Sequence, residues 1–415
     1  MLACGRRAAL AIHRSLRPVG KRVFPALLAV NNDEAHWRGK MLGFGALAGA
    51  AVAGTTFCDA SEPQNEDLGN VEGPVSLALE RQVDIQLAHA VAHVRSYSCA
   101  SYRANYPIED RFVVQANKHE VFAAVIDGHG GWQVAEYAHG HLIENVKAEI
   151  EELHDPSPPK VLLYIKAAMK HGYIRTERQL KEQLLPAFQL GFGQVNRVGA
   201  CCMLAYLKGD MLVIANAGDI RAVLATTDDD GQLYSLAMSN DHNAKFADEK
   251  ERLAREHPNE DNIVVCKNPE ACYVKGGLQP TRAFGDFAFK YPEFNASPIQ
   301  TERGNGRHIA EPYTPPYVTA IPETQSHVVT SNDKFLIIGS DGVWDFLENE
   351  EAVAIVQQHI TTGKKSDAGR VLVEHVIARA AEVKGKSLKE FAELPPGKSR
   401  RRVHDDTTVV ILFFE

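Results

Sequence analysis

From about residue 95 onward, apolar positions follow two rhythms. Runs of strand length recur as "RFVVQAN", "VFAAVID", "CCMLAYLKGD", "MLVIANAGD", "RAVLATT", "HVVTSNDKFLIIGSD" and "TTVVILFF". Spacings of three and four predict helices over 133–152, 162–185, 247–257, 349–360 and 368–382, the last with Val373, Val376, Ile377 and Ala380 on one face. Turn signals such as Lys208-Gly209-Asp210 and Asn332-Asp333 join several strands. Short turns between consecutive strands imply antiparallel pairing. Strand groups interrupted by helix groups predict an α+β layered domain. The stretch 287–315, rich in Pro, Gly and Asn, reads as a long surface excursion, and "LPPGKSRRR" at 394–402 as a basic loop.

The N-terminal part follows neither rhythm. Residues 1–32 hold Arg6, Arg7, Arg14, Arg17, Lys21 and Arg22 with no acidic residue. That is the composition of a mitochondrial transit peptide, with a basic tail as the alternative. Within 33–75, the stretch 41–58 is uncharged and carries four glycines. It is barely long enough to span a bilayer and is read either as an inner-membrane anchor or as an apolar linker. Residues 59–75 turn acidic and polar, a linker to the folded part at 76–415.

Hydrophobic residues make up 45% of the 415, enough for a sizeable core. A net charge of -8 argues against nucleic acid as a partner, because phosphate backbones select basic surfaces. Seven cysteines without a C-x-x-C pair predict neither a zinc ribbon nor a disulfide framework. Cys201 and Cys202, in an apolar run, read as core residues.

Carboxylates recur where apolar runs meet turns. Glu109 and Asp110 precede one strand, Asp127 ends the next and Asp219 follows a third. Asp341 ends another, and Asp405 and Asp406 open the last. A carboxylate at such a place is costly unless it is paired or binds a cation. Each alone is compatible with turn chemistry. Together they suit Mg²⁺ or Mn²⁺, hard ions that take oxygen ligands. A pair of such ions clamps a phosphoryl group for in-line attack. A phosphate-cradling nucleotide loop is excluded: both "GKS" triplets lack its first glycine, with Ala380 and Ala392 in that place.

In order, "IEDR", "DGHGG", "NAGDIR", "SNDH", "TRAFGD", "SDGVWD" and "DDTTVV" resemble the metal-dependent type 2C protein phosphatases, the Ser/Thr phosphatases of the PPM family, over residues 95–415. "NYPIEDR", "MSNDHNA", "RLAREHP", "RAFGDFAFK" and "PYTPPYVTAIPE" resemble the pyruvate dehydrogenase phosphatase branch. The resemblance implies an α-β-β-α sandwich of four layers, with two central antiparallel sheets between helices and a dinuclear site at one end. It implies that Asp127 bridges two Mg²⁺ or Mn²⁺ ions and that the Gly128 carbonyl binds one of them. Asp341 and Asp405 complete the other ion's shell, with Asp406 in reserve. Glu109 holds a metal-bound water, with Asp110 behind it. Asp219 and Asp341 hold a third, weaker ion. A hydroxide held between the cations attacks phosphorus, and His129 protonates the leaving alkoxide.

Two departures from the family stand out. An Arg that binds substrate phosphate in many type 2C enzymes is Asn105 here, which leaves Arg103 or Arg111 as substitutes. A segment of small residues and Thr reads "GACC" at 199–202, a packing change without expected effect on catalysis. The implied substrate is a phosphoprotein, the pyruvate dehydrogenase alpha subunit, in the mitochondrial matrix. The alternatives are a different substrate in another mitochondrial compartment, with 41–58 as inner-membrane anchor, and a catalytically dead binding protein. Loss of a metal carboxylate would mark the last, and none is lost.

Overall fold

The computed structural model describes residues 77–152, 160–296 and 306–415. The expected transit peptide, the uncharged stretch 41–58 and the acidic linker lie outside the described residues. Among the described residues, no helix is long and apolar enough to cross a membrane.

In chain order the strands are β1 (Arg81–Val91), β2 (Val94–Tyr102), β3 (Arg111–Ala116), β4 (Glu120–His129), β5 (Gly199–Lys208), β6 (Met211–Ala217), β7 (Arg221–Thr227), β8 (Leu233–Ala237), β9 (Val264–Asn268), β10 (Ala271–Val274), β11 (Phe284–Gly285), β12 (Glu323–Val328), β13 (Asp333–Gly339) and β14 (Thr407–Phe414). The longer helices are α1 (Gln133–Glu151), α2 (Val161–Gln189), α3 (Ala247–Glu256), α4 (Asn349–Thr361) and α5 (Ala368–Val383). One sheet runs β1-β2-β14-β13-β7-β8 and the other β12-β6-β5-β4-β3, with β11 beside β5. The pairings within both are antiparallel.

The strand β14 shows why its sequence is apolar throughout. Val410, Leu412 and Phe414 face a core shared with Ala123, Val125 and Met203 of the other sheet. Val409, Ile411 and Phe413 face the other way, onto Val353 and Val356 of α4 and Leu372, Val376 and Ile377 of α5. A strand covered on both faces has no polar side to show. The helices α1 and α2 pack on the second sheet, against β4 and β6. The expected α+β fold, two antiparallel sheets flanked by helices, is therefore the observed one.

Three features differ from the reading of the sequence. The strands β1, β2 and β8–β11 lack the long apolar runs of the core and are not among the expected strands. The excursion at 287–315 is not merely superficial: Phe287, Phe289, Phe294 and Ile309 are buried, as is the adjoining Tyr317. Of these, Phe289, Ile309 and Tyr317 join Leu253 of α3 and Val274 of β10 in a separate small core. A disulfide joins Cys266 to Cys272. The two cysteines are cross-strand partners in the hairpin β9–β10, a proximity set by a turn that their spacing did not reveal.

Candidate active site

Antiparallel register gathers the carboxylates. In one sheet, Arg221 at the start of β7 pairs with Gly339 at the end of β13, and Tyr102 at the end of β2 pairs with Thr407 at the start of β14. In the other, Ile126 and His129 near the end of β4 pair with Arg111 at the start of β3 and Gly199 at the start of β5. The ends that carry Asp341, Asp405 and Asp406 are thus neighbours, as are those that carry Glu109, Asp110 and Asp127. Asp219 stands on the link from β6 to β7, which crosses from one sheet to the other.

Carboxylate oxygens of Asp127, Asp219 and Asp341 lie within 4.8 Å of one another. Burial, and then the charge of neighbouring carboxylates, push Asp127 and Asp341 well above the usual carboxylate range. The same causes lift Glu109 to about 7 and Asp405 to about 6, although Arg401 opposes them in both. Asp110 is pushed up by burial and by Asp406, against the hydroxyls of Thr408 and Ser340. Buried oxygens of Asp341 (Oδ1) and Asp110 (Oδ2) have no hydrogen-bond partner. Hard, crowded and partly unpartnered oxygens fit divalent cations, which would offset this repulsion.

The Asp405-Asp406 pair divides its work. Asp406 accepts hydrogen bonds from the backbone N–H groups of Ala104 (2.6 Å), Asn105 (2.8 Å) and Glu109 (2.8 Å). Its oxygens are spent on shaping the loop that carries Glu109. Asp405 accepts from the Asp406 N–H and from Arg401, whose side chain is half exposed. Asp405 is the one left toward the acidic cluster. Gly128 packs tightly, for a Cβ there would sit 2.6 Å from the Glu109 carbonyl oxygen.

His129 Nε2 and Asp286 Oδ2 are 2.6 Å apart. Burial pulls the His129 imidazolium down, but Asp286, with help from Asp219 and Glu109, outweighs it and raises the ring above its usual value. A Cβ on Gly199 would collide with both partners, so the close approach requires glycine. Asp286 had no assigned role in the sequence, although its motif "TRAFGD" was visible. Asp345 was also missed. It follows Asp341 by four residues, on the same face of a helical turn, and helps line a cavity of about 280 Å³ with Asp219 and Asp341.

Other expectations change. Cys201 is buried as expected, but its Sγ lies 3.1 Å from Asp219 Oδ1, so "GACC" touches the site. Asn105 directs its Nδ2 to Asp406, at 3.1 Å. Arg111 is held by Glu136 and by the carbonyls of Ile108 and Asp110. Arg103 pairs with Glu80.

A layered sandwich with a carboxylate cluster at one end offers a place for divalent cations. The family described as Protein phosphatase 2C matches residues 94–385. Relatives include "Probable protein phosphatase 2C 42" of Arabidopsis thaliana, 32% identical over 76% of this chain and 78% of that protein. "Probable protein phosphatase 2C 72" of Oryza sativa subsp. japonica is 30% identical over 77% and 79%. Among solved structures, a serine-threonine phosphatase 2C from Toxoplasma gondii superposes with a TM-score of 0.56 at 17% identity, over 80% of this chain and 99% of that one. The chain belongs to the protein phosphatase 2C family, the metal-dependent phosphatases of phosphoserine and phosphothreonine.

Proposed function

We propose that catalysis takes place where Asp127, Asp219 and Asp341 converge. Glu109, Asp110, the Gly128 carbonyl and Asp405 would complete the sites of two Mg²⁺ or Mn²⁺ ions, and Asp219 with Asp341 would serve a third. The reading is carried by the approach of three carboxylates to within 4.8 Å. Bound ions would supply an activated water and offset phosphoryl charge. Asp406 fixes the Glu109 loop, and Asp286 holds His129 ready to give a proton to the leaving serine or threonine oxygen. A phosphopeptide assay with Mn²⁺ or with EDTA tests this. Full turnover in excess EDTA would overturn it.

The narrower substrate we propose is the pyruvate dehydrogenase alpha subunit, in mitochondria. It rests on the segments "NYPIEDR" to "PYTPPYVTAIPE" and on the acid-free basic residues 1–32. The plant relatives named above lend it no weight. Release of phosphate from the phosphorylated subunit tests the substrate. Replacing Arg6, Arg7, Arg14 and Arg17 by Glu in a reporter fusion tests import, and continued import would refute it. A second reading, another mitochondrial compartment, is favoured by the Cys266–Cys272 bridge, since disulfides persist in oxidising spaces. Protease mapping of isolated mitochondria separates the two.

A further inference from the structure

The phosphatase reading leaves one physical problem. A substrate phosphate is anionic, and the end of the sandwich it must enter is crowded with carboxylates. Metal ions would answer part of that charge, yet the ester also needs hydrogen-bond donors that fix its orientation. Position 105 holds no cation, and the Asn105 amide is turned to Asp406. Arg111 and Arg103 are engaged elsewhere. Arg221 binds Asp241 at 2.7 Å and Asn349 at 2.9 Å.

The basic loop at 394–402 supplies a different candidate. Its arginines have separate fates. Arg400 is buried, with its guanidinium donating to the carbonyls of Leu394, Ala392 and Arg103. Gly397 N–H donates to the Ala104 carbonyl at 2.6 Å. These bonds fasten the loop to the segment that carries Asn105. The next residue, Arg401, ends the one-turn helix Lys398–Arg401 and reaches Asp405. Half of its side chain remains in solvent. Its charge is felt by Glu109 and Asp345 as well as Asp405. It is thus a cation with free donor capacity, at the rim of the cluster and beside the segment of position 105.

We propose that Arg401 grips the phosphate of the substrate. A guanidinium presents five donors in a planar fork, so it can keep one bond to Asp405 and offer others to phosphoryl oxygens. The competing role is purely local: Arg401 would only orient Asp405. The two roles differ in what they bind. A phosphate grip acts on phosphate affinity, whereas orientation of Asp405 acts on metal affinity.

The experiment measures both in Arg401→Gln. Calorimetric titration of inorganic phosphate into the Mn²⁺-loaded full chain should show affinity lower by about tenfold to a hundredfold, the range of a charge-assisted hydrogen bond. The KM for para-nitrophenyl phosphate should rise in parallel, while Mn²⁺ affinity, titrated separately, stays within about threefold. Arg401→Lys should fall between, since an ammonium keeps the charge but not the fork. Adding Asn105→Arg to Arg401→Gln should restore part of the phosphate affinity from the adjacent segment. Unchanged phosphate affinity in Arg401→Gln overturns the proposal. So does a loss of Mn²⁺ affinity as large as the loss of phosphate affinity. The proposal rests on the phosphatase reading, whose failure looks different: wild-type protein that binds phosphate through Arg401 yet cleaves no phosphopeptide.

Discussion

Asp286 is fully buried, and its carboxylate meets the His129 ring at 2.6 Å. It adopts a left-handed backbone conformation with φ of 50°, and its second oxygen, Oδ1, has no hydrogen-bond partner. That costs stability, and the contact it secures orients His129, two residues after Asp127 in β4. Asp286→Asn should lower kcat on a phosphoserine peptide by about tenfold to a hundredfold, within the range that general acid catalysis contributes. The effect should shrink on para-nitrophenyl phosphate, whose phenolate leaves without a proton. Equal losses on both substrates would mean that Asp286 acts through folding rather than through His129.

The carboxylate cluster predicts opposite effects with and without metal. Asp127 and Asp341 are raised well above their ordinary values, so at these two groups the metal-free fold keeps protons that the unfolded chain gives up. Its stability should therefore fall as pH rises above the usual carboxylate range. Asp341→Asn removes one of the repelling charges. In EDTA it should raise Tm, by about 1–2 °C for each kcal/mol of repulsion relieved in a domain of this size. In Mn²⁺ it should lose the metal-induced stabilisation and nearly all activity. A Tm in EDTA below that of the wild type would contradict this account.

Asp405 and Asp406 are adjacent and should not be interchangeable. Asp406→Ala leaves the N–H groups of Ala104, Asn105 and Glu109 without their acceptor. It should cost about 3 kcal/mol or more in a denaturant titration. Asp405→Ala should cost little stability and most of the Mn²⁺ affinity. The reverse pattern would exchange the roles of the two residues.

Glu249 on α3 sets an acid limit away from the cluster. Burial alone would raise its carboxyl, but Arg252, Thr281 and Arg282 outweigh burial and hold it at about 2. The folded value lies below the unfolded one near 4.5. Its contribution is therefore present above pH 4.5 and lost as pH falls toward 2. The full effect is up to about 3 kcal/mol. Glu249→Gln should lower Tm at neutral pH and flatten the Tm profile between those limits. A profile parallel to the wild type would assign the acid sensitivity to other groups.

Core strands and helices were legible as apolar runs and stripes, and the acidic residues as a pattern at the strand ends. The strand β14 is apolar throughout because both its faces are covered, and α5 shows its buried side as a stripe. Asp127, Asp341 and Asp405 stand where such runs meet turns, a local pattern visible without coordinates. Tertiary structure alone decided what depends on distant partners. Asp286 and His129 are 157 residues apart, and no local spacing announces their contact. The resemblance ranks Asp405 before Asp406 as a ligand, but the physical reason for their different work, the N–H groups of a loop 297 to 302 residues earlier, exists only in the fold. The basic loop was legible as charge, but which arginine is buried and which reaches Asp405 depends on packing against Ala104 and Tyr102. Periodicity records which face of an element is covered. It does not record which polar group waits on the other side, because hydrogen bonds and ion pairs are fixed by geometry at a few ångströms, and that geometry exists only once the sheets have packed.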